Sequence, residues 1–184
     1  MKSSSYTSNF FNHLHTVLHH KKLVLIHCFR VGLYRQGLFH DMSKFSITEF
    51  WPGVKYYQGT RSPNEGERRD KGYSAAWLHH KGRNKHHMEY WTDYSTRGSG
   101  DIEGVKMPVR YVVEMFCDRM AASKTYLGSK YSDSAPYDYY IASRKHYIMD
   151  PDSMLILEKM LKELADNGET AAFAYIRTEI LKKK

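Results

Sequence analysis

The chain has 184 residues, which allows one domain with a full core and leaves too little for two. Its 41% hydrophobic and 26% charged residues exclude a disordered tail. No apolar run approaches the ~18 residues of a bilayer span, so no membrane partner is expected, while a formal charge of +8 attracts anions, either phosphorylated small molecules or nucleic acid.

The first residues, Met1 to Ser5, lead into polar and aromatic residues without the apolar core of a signal peptide. Residues 7–32 carry Phe10, Leu14, Val17, Leu18, Val24, Leu25 and Val31 at three- and four-residue steps. That period predicts one long helix, with Ser8 as its cap and Gly32 as its stop. A short element holds Leu38 to Lys44, and Ser46-Ile-Thr-Glu49 has the form of a capping box. Pro52 keeps any helix that starts there short or kinked. Residues 58–72, rich in Gly, Pro, Asn and charge, predict a surface loop. A helix is expected from Tyr73 to His80, broken by Gly82 and Asn84, and a polar loop over 92–107.

Pro108 suits a first helical position and Gly128 a terminator. The helix between them, 108–127, has Val109, Val112, Val113, Phe116, Met120 and Tyr126 as its apolar residues. Further helices are expected over 136–148, over 152–166 ending at Asn167-Gly168, and over 169–182 with Lys182 to Lys184 at the negative end of its dipole. No alternating Val/Ile-rich strand stands out. The prediction is a single all-α domain over residues 1–184, a bundle of about six or seven helices. Cys28 and Cys117 lie inside helical patterns without a paired spacing, as suits a reducing cytoplasm.

Eleven histidines are the outstanding feature of the composition, and they cluster: His19-His20, His40-Asp41, and His79-His80 with His86-His87. Helical geometry favours His20 over His19, because Thr16, Val17, Leu23 and Val24 share its face. Asp118 has Met115, Ala121 and Ala122 as face neighbours and Glu114 one turn earlier, so it looks inward. A buried carboxylate needs a cation or donors. Imidazole and carboxylate together suit a divalent metal, one or two ions of Mn, Fe, Co, Ni or Zn, and Mg less well when histidines are many. His13, His15 and His146 read as ordinary surface or core residues. Trp77, Tyr90 and Trp91 flank the histidine clusters and read as pocket wall or core.

The run His40-Asp41-Met42-Ser43-Lys44 resembles the signature of the HD superfamily of metal-dependent phosphohydrolases. In that pattern an upstream His, an adjacent His-Asp and a distant Asp lie on successive helices, and some members add histidines for a second metal. His20 matches the upstream His, His40 and Asp41 the doublet, Lys44 a lysine three residues on, and Asp118 the final Asp. His80 and His86 match the extra histidines, with His79 and His87 left as alternatives. The resemblance covers residues 20–118, and the C-terminal helices over 136–182 complete the bundle. The runs His40–Phe45, Tyr56–Pro63 and Trp77–His87 are also similar to a small uncharacterised family of bacterial and phage proteins.

The resemblance implies hydrolysis of a phosphate ester, on a nucleotide or another phosphorylated small molecule. Asp41 would bridge metals or steer water, and Lys44 would bind the phosphate. Lys81, Arg83, Asn84 and Arg61 are expected beside the substrate, in the polar loops around the histidines. Two alternatives stand beside it: a di-iron oxygenase of HD type, and a non-catalytic, metal-stabilised module that binds nucleic acid.

Overall fold

The computed structural model describes residues 6–182 except Arg97 and Ser99. The chain is all-α, with eight α-helices and one small hairpin among the described residues. Helix α1 (Tyr6–Arg30) buries His13, Val17, His20, Val24, His27 and Cys28 along one stripe. The stripe repeats every seven residues, close to two helical turns, so three imidazoles face inward one above another. Ser8 lies inside α1 and accepts from Asn12 Nδ2 at 3.3 Å, so it is not the cap that the sequence suggested.

The short helix α2 (Tyr34–Phe39) packs on α1, and α3 (Ile47–Lys55) follows a 3-10 turn at Met42–Phe45. The expected capping box does not form. Ser46 stands at the N-cap position of α3 without a side-chain cap, and Glu49 is drawn away to two histidines.

Two of the expected loops hold regular structure. Within 58–72 lies α4 (Pro63–Lys71), whose N-terminus is capped by Ser62 Oγ accepting from Asn64 N–H at 3.3 Å. Glu65–Arg69 and Glu67–Lys71 pairs, each four residues apart, support it. The Glu67 carboxylate is buried because it also accepts from Ser74 Oγ and the Ala76 amide. Helix α5 (Ala75–Lys81) starts there, capped by Ser74. Within 92–107, β1 (Thr92–Tyr94) pairs antiparallel with β2 (Ile102–Gly104), Asp93 opposite Glu103. Gly104 lies against the backbone of Met149 and Asp150, where a Cβ would collide.

The central helix is α6 (Val109–Leu127), which buries Val112 through Cys117, Met120 and Ala121. Pro108 stands one residue earlier than expected, at the N-cap. Around α6 pack α1, α7 (Ala135–Ser143) and α8 (Pro151–Tyr175). The helix expected over 136–148 ends at Ser143, before a 3-10 turn. The two C-terminal helices meet at Gly168, whose φ of 78° breaks the helical path, and the last turn, Ile176–Ile180, is wound as π-helix. Lys183 and Lys184, like Met1 to Ser5, lie outside the described residues.

The apolar core joins Phe116, Met120, Tyr140, Leu157, Met160, Leu161, Leu164, Phe173 and Ile176, all essentially without exposure. Each large side chain so buried contributes about 1.5–3 kcal/mol. A second group of helices, α3, α4 and α5, gathers at the N-terminal part of the same α1 stripe, where Gly53 of α3 meets His13. Most of the buried polar side chains, His20, His40, Asp41, Glu49, His80, His86 and Glu114 among them, gather where this group meets α1 and α6. No helix among the described residues is long and apolar enough to cross a membrane, and Cys28 and Cys117 are free and buried.

Candidate metal centre

The site is made by a change of backbone hand. His40 ends α2 in an extended conformation, and Asp41 turns into the left-handed region at φ 53°. It is the only described non-glycine residue with positive φ. Aspartate tolerates that region better than most residues, at a cost of about 1 kcal/mol. The Lys44 amide then donates to Asp41 O at 3.0 Å, closing the turn. Adjacent side chains in a regular helix point in different directions. Here His40 and Asp41 are both buried, at 1% and 2% exposure, and both face the same gap.

Around Asp41 the histidines fall into two groups. His20 Nε2 and His40 Nε2 lie 3.8 and 3.2 Å from Asp41 Oδ2, and 3.0 and 3.5 Å from Asp118 Oδ1. His80 Nε2 and His86 Nε2 each lie 3.4 Å from Asp41 Oδ1, and His87 completes this second group. An ion with bonds of about 2.1 Å spaces its ligand atoms about 3.0–3.4 Å apart, and the separations of 3.0–3.8 Å here lie within or slightly beyond that range. The Nε2 atoms of His20, His40, His86 and His87 and both Asp41 oxygens are buried and lack a well-directed hydrogen bond. Buried polar atoms in that state are costly unless a cation meets them.

The far nitrogens are tied down. Glu114 Oε1 accepts from His40 Nδ1 at 2.9 Å and lies 3.3 Å from His86 Nδ1. Glu49 accepts from His80 Nδ1 at 2.8 Å and from His79 Nδ1 at 2.6 Å. An ionised carboxylate only accepts, so each Nδ1 carries the proton. When the ring is neutral, its Nε2 turns a lone pair towards Asp41, whose oxygens also offer lone pairs; at His40, whose pKa is raised, a second proton can stand in for the cation. A cation between them resolves that opposition, and outer carboxylates that fix ring orientation are typical partners of metal-bound histidine. His40, His86 and Glu114 are close enough to form a third group. Their contacts use Nδ1, so Glu114 belongs to the outer set.

Electrostatics follows the same pattern. Burial raises the Asp41 pKa, but His40, Lys44 and His80 outweigh it and hold the carboxyl well below its usual range. Asp118 is held down in the same way against burial, by His20 and His40. Burial and then the charge of Lys44 lower His20. His40 alone is pushed well above its ordinary value, because Asp41, Asp118 and Glu114 outweigh its burial. Burial, His86 and His80 push His87 well below. Four carboxylates of depressed pKa thus share the site with one ammonium, Lys44 Nζ, 2.7 Å from Asp41 Oδ2.

A cleft of about 860 Å3 opens on the site, lined by His20, Asp41, Lys44, His80, His87 and Asp118. His40 and His86 stay behind it. The sequence-predicted residues His20, His40, Asp41, Lys44, His80, His86 and Asp118 therefore come together. His19 and His15 are exposed, their rings parallel with centroids 6.2 Å apart. His79 meets the outer edge of Glu49. Arg61 lines the cleft and pairs with Glu65 at 3.4 Å.

Arg83 and Lys81 are not beside the site. Gly82 ends α5, Arg83 is exposed and reaches back towards His79 O, and neither side chain lines the cleft. Asn84 is not placed for substrate either. Its Nδ2 donates to Ser43 Oγ and His80 O, both at 2.8 Å, tying the Asp41 turn to α5. Trp77 is a cleft wall, 4.9 Å from the His87 ring. Trp91 instead packs on the core with its Nε1 bonded to Lys85 O.

Glu114, Glu49 and Arg119 are additions to the predicted site residues, and His87, expected only as an alternative to His86, joins it in the second group. Glu114 had a signal, an acid inside the apolar run Val112 to Cys117 and one turn before Asp118. His13, read as an ordinary surface or core residue, is buried, and it also lines the cleft.

Neither the curated proteins nor the solved structures contain a significant match to this sequence. A model described as a family of unknown function (DUF5662) matches residues 9–163, a span that contains every residue of the site, and the chain belongs to that family.

Proposed function

We propose that the chain is a metal-dependent phosphohydrolase acting on a phosphorylated small molecule such as a nucleotide, as the resemblance to the HD superfamily implies. The observation that carries this reading is the Asp41 turn. It presents one carboxylate to two sets of imidazole nitrogens and brings Lys44 against the same carboxylate, at the floor of a cleft. His20, His40, Asp41 and Asp118 would hold one divalent ion, and Asp41, His80, His86 and His87 a second. The histidine-rich set favours Mn, Fe, Co, Ni or Zn over Mg. When bound, such ions polarise a phosphoryl oxygen and make water acidic enough to attack near neutral pH.

The chain's own residues do the rest. Glu114 and Glu49 hold four imidazoles in their tautomers. Lys44 lines the cleft and offers N–H donors to a phosphate oxygen, stabilising charge that grows on it. Arg61, Arg68 and Arg119 line the cleft walls and draw an anion inward. This cationic lining favours a phosphate substrate over the oxygenase alternative. The free buried cysteines agree with a reducing cytoplasm.

The test is elemental analysis of the purified chain, followed by a phosphate-release screen with Mn, Co, Ni, Zn and Mg. Metal should co-purify or bind stoichiometrically. Asp41→Asn, which keeps the shape and the tolerance for positive φ, should lose both metal and turnover. Lys44→Ala should keep metal and lose about a hundredfold in rate. Full metal content in Asp41→Asn would refute the centre, and phosphate release unchanged in Lys44→Ala would refute the role of the lysine.

A further inference from the structure

His13 is a buried imidazole that the metal centre does not use. It lies on the same stripe of α1 as His20, two turns away, or about 10.5 Å along the helix. It is 8% exposed and lines the cleft; its Nδ1 is buried without a hydrogen-bond partner, and its Nε2 lies in the notch at Gly53. The ring is held in place. Phe50 packs on it with centroids 5.0 Å apart, and a Cβ on Gly53 would overlap it. Glycine inside a helix costs about 1 kcal/mol against alanine. At Gly53, in the interior of α3, its missing side chain is what admits the imidazole.

Beside His13 the cleft is lined by Thr16 and Tyr57. Thr16 Oγ donates its one proton to Asn12 O at 2.9 Å. The 3.2 Å contact between Thr16 Oγ and Tyr57 Oη is therefore made with the tyrosine proton. That leaves the phenolic oxygen as an acceptor. Burial, followed by the charge of Lys44, pushes the His13 pKa down to about 4, so the ring is neutral near pH 7 and offers one donor and one acceptor. Lys44 is itself engaged by Asp41. The side chains of His13, Thr16 and Tyr57 are themselves uncharged and rich in acceptors.

We propose that His13, Thr16 and Tyr57 form a second subsite, which takes an uncharged, hydroxyl-bearing group of the substrate while its phosphate lies at the metal centre. The proposal rests on the phosphohydrolase reading and narrows it to phosphate esters of sugar-like or polyol compounds. His13, Thr16 and Tyr57 carry no charge themselves, and a hydroxyl can donate to Tyr57 Oη and exchange hydrogen bonds with His13. The separation along α1 leaves room for one sugar ring between the two ends.

The test uses the full metal-loaded chain and two probes that cannot be hydrolysed: methylphosphonate, and the phosphonate isostere of ribose 5-phosphate. Calorimetry should find the isostere bound about tenfold more tightly, as one or two hydrogen bonds would give. His13→Ala should erase that margin while leaving metal content and methylphosphonate affinity unchanged. Tyr57→Phe, which keeps the ring, should reduce the margin in part. Equal binding of both probes to the wild type would overturn the subsite, as would a margin that survives His13→Ala. Failure of methylphosphonate itself to bind would instead overturn the phosphate-binding centre, and this subsite with it.

Discussion

Glu114→Gln isolates the claim that an outer carboxylate organises a metal centre. Glu114 touches one ligand from each group, His40 Nδ1 at 2.9 Å and His86 Nδ1 at 3.3 Å. Glutamine keeps the volume, but its single carbonyl oxygen is a weaker acceptor, and its amide nitrogen would oppose an imidazole N–H. Loss of such an outer partner weakens metal binding about 10- to 100-fold. With free metal held at 100 times the wild-type Kd, binding stabilises the wild type by about 2.7 kcal/mol. A thirtyfold weaker site under the same conditions gains only about 0.9 kcal/mol. At about 2–4 °C per kcal/mol for a domain of this size, the metal-induced rise in Tm should shrink from about 5–10 °C to about 2–4 °C. The assay is thermal unfolding with and without chelator, paired with competition against a chromophoric chelator. The chelated variant also loses a buried hydrogen-bonded pair, so only the difference between the metal-loaded and chelated forms is diagnostic. An equal metal-induced shift in Glu114→Gln and wild type would refute the reasoning.

Two further outcomes are expected. Burial holds His27 down to about 4 against a contact from Cys117 O, and an unfolded histidine titrates near 6.5, so the unfolded chain binds the extra proton. Stability is then complete above pH 6.5 and falls by up to about 3 kcal/mol as pH drops towards 4. Urea titrations of wild type and His27→Gln across that range should differ in slope, and parallel curves would remove His27 as the cause. Chelation should speed hydrogen exchange first at the Lys44 and Ser46 amides, which close the turn around Asp41, while amides from Val112 to Ala121 in α6 stay protected. A uniform rise across the chain would mean that the turn has no special dependence on metal.

The parts of this molecule that were legible in the sequence are those where local pattern and tertiary burial agree. Val112, Val113, Phe116 and Met120 recur at helical spacing and are buried, and His20 faces inward where His19 does not. Helix α4 was hidden because its composition is that of a loop. It exists because Ser62 and Pro63 start it, charge pairs brace it, and Ser74 and Ala76 satisfy the buried carboxylate of Glu67 from outside. Glu49 fits a local capping box equally well, and only the approach of α5, carrying His79 and His80, decides its partners. Between Gly82 and Trp91 the chain has no helical period, so the sequence could not separate His86 from His87 or place Arg83. In a helix the residue after His80 points about 100° away, which takes Lys81 off the site.

The basic surface and the acidic interior belong to one arrangement. Asp41 is the first acid in the chain and Glu49 the second, and both are buried at the centre. Of the cations near them, Lys21 donates to Leu38 O and His40 O and braces the turn, and Lys44 meets Asp41. Four carboxylates gathered around one ammonium repel an incoming phosphate, although the surface of a chain with net charge +8 draws it closer. A divalent ion reverses the sign at the floor of the cleft and leaves the walls unchanged. On the proposed reading, binding would be ordered by charge: the cation first, which the centre itself attracts, and the anion only afterwards. The surplus of lysine and arginine would then speed the anion's approach to the cleft, while the buried acids would make the metal the condition for its capture.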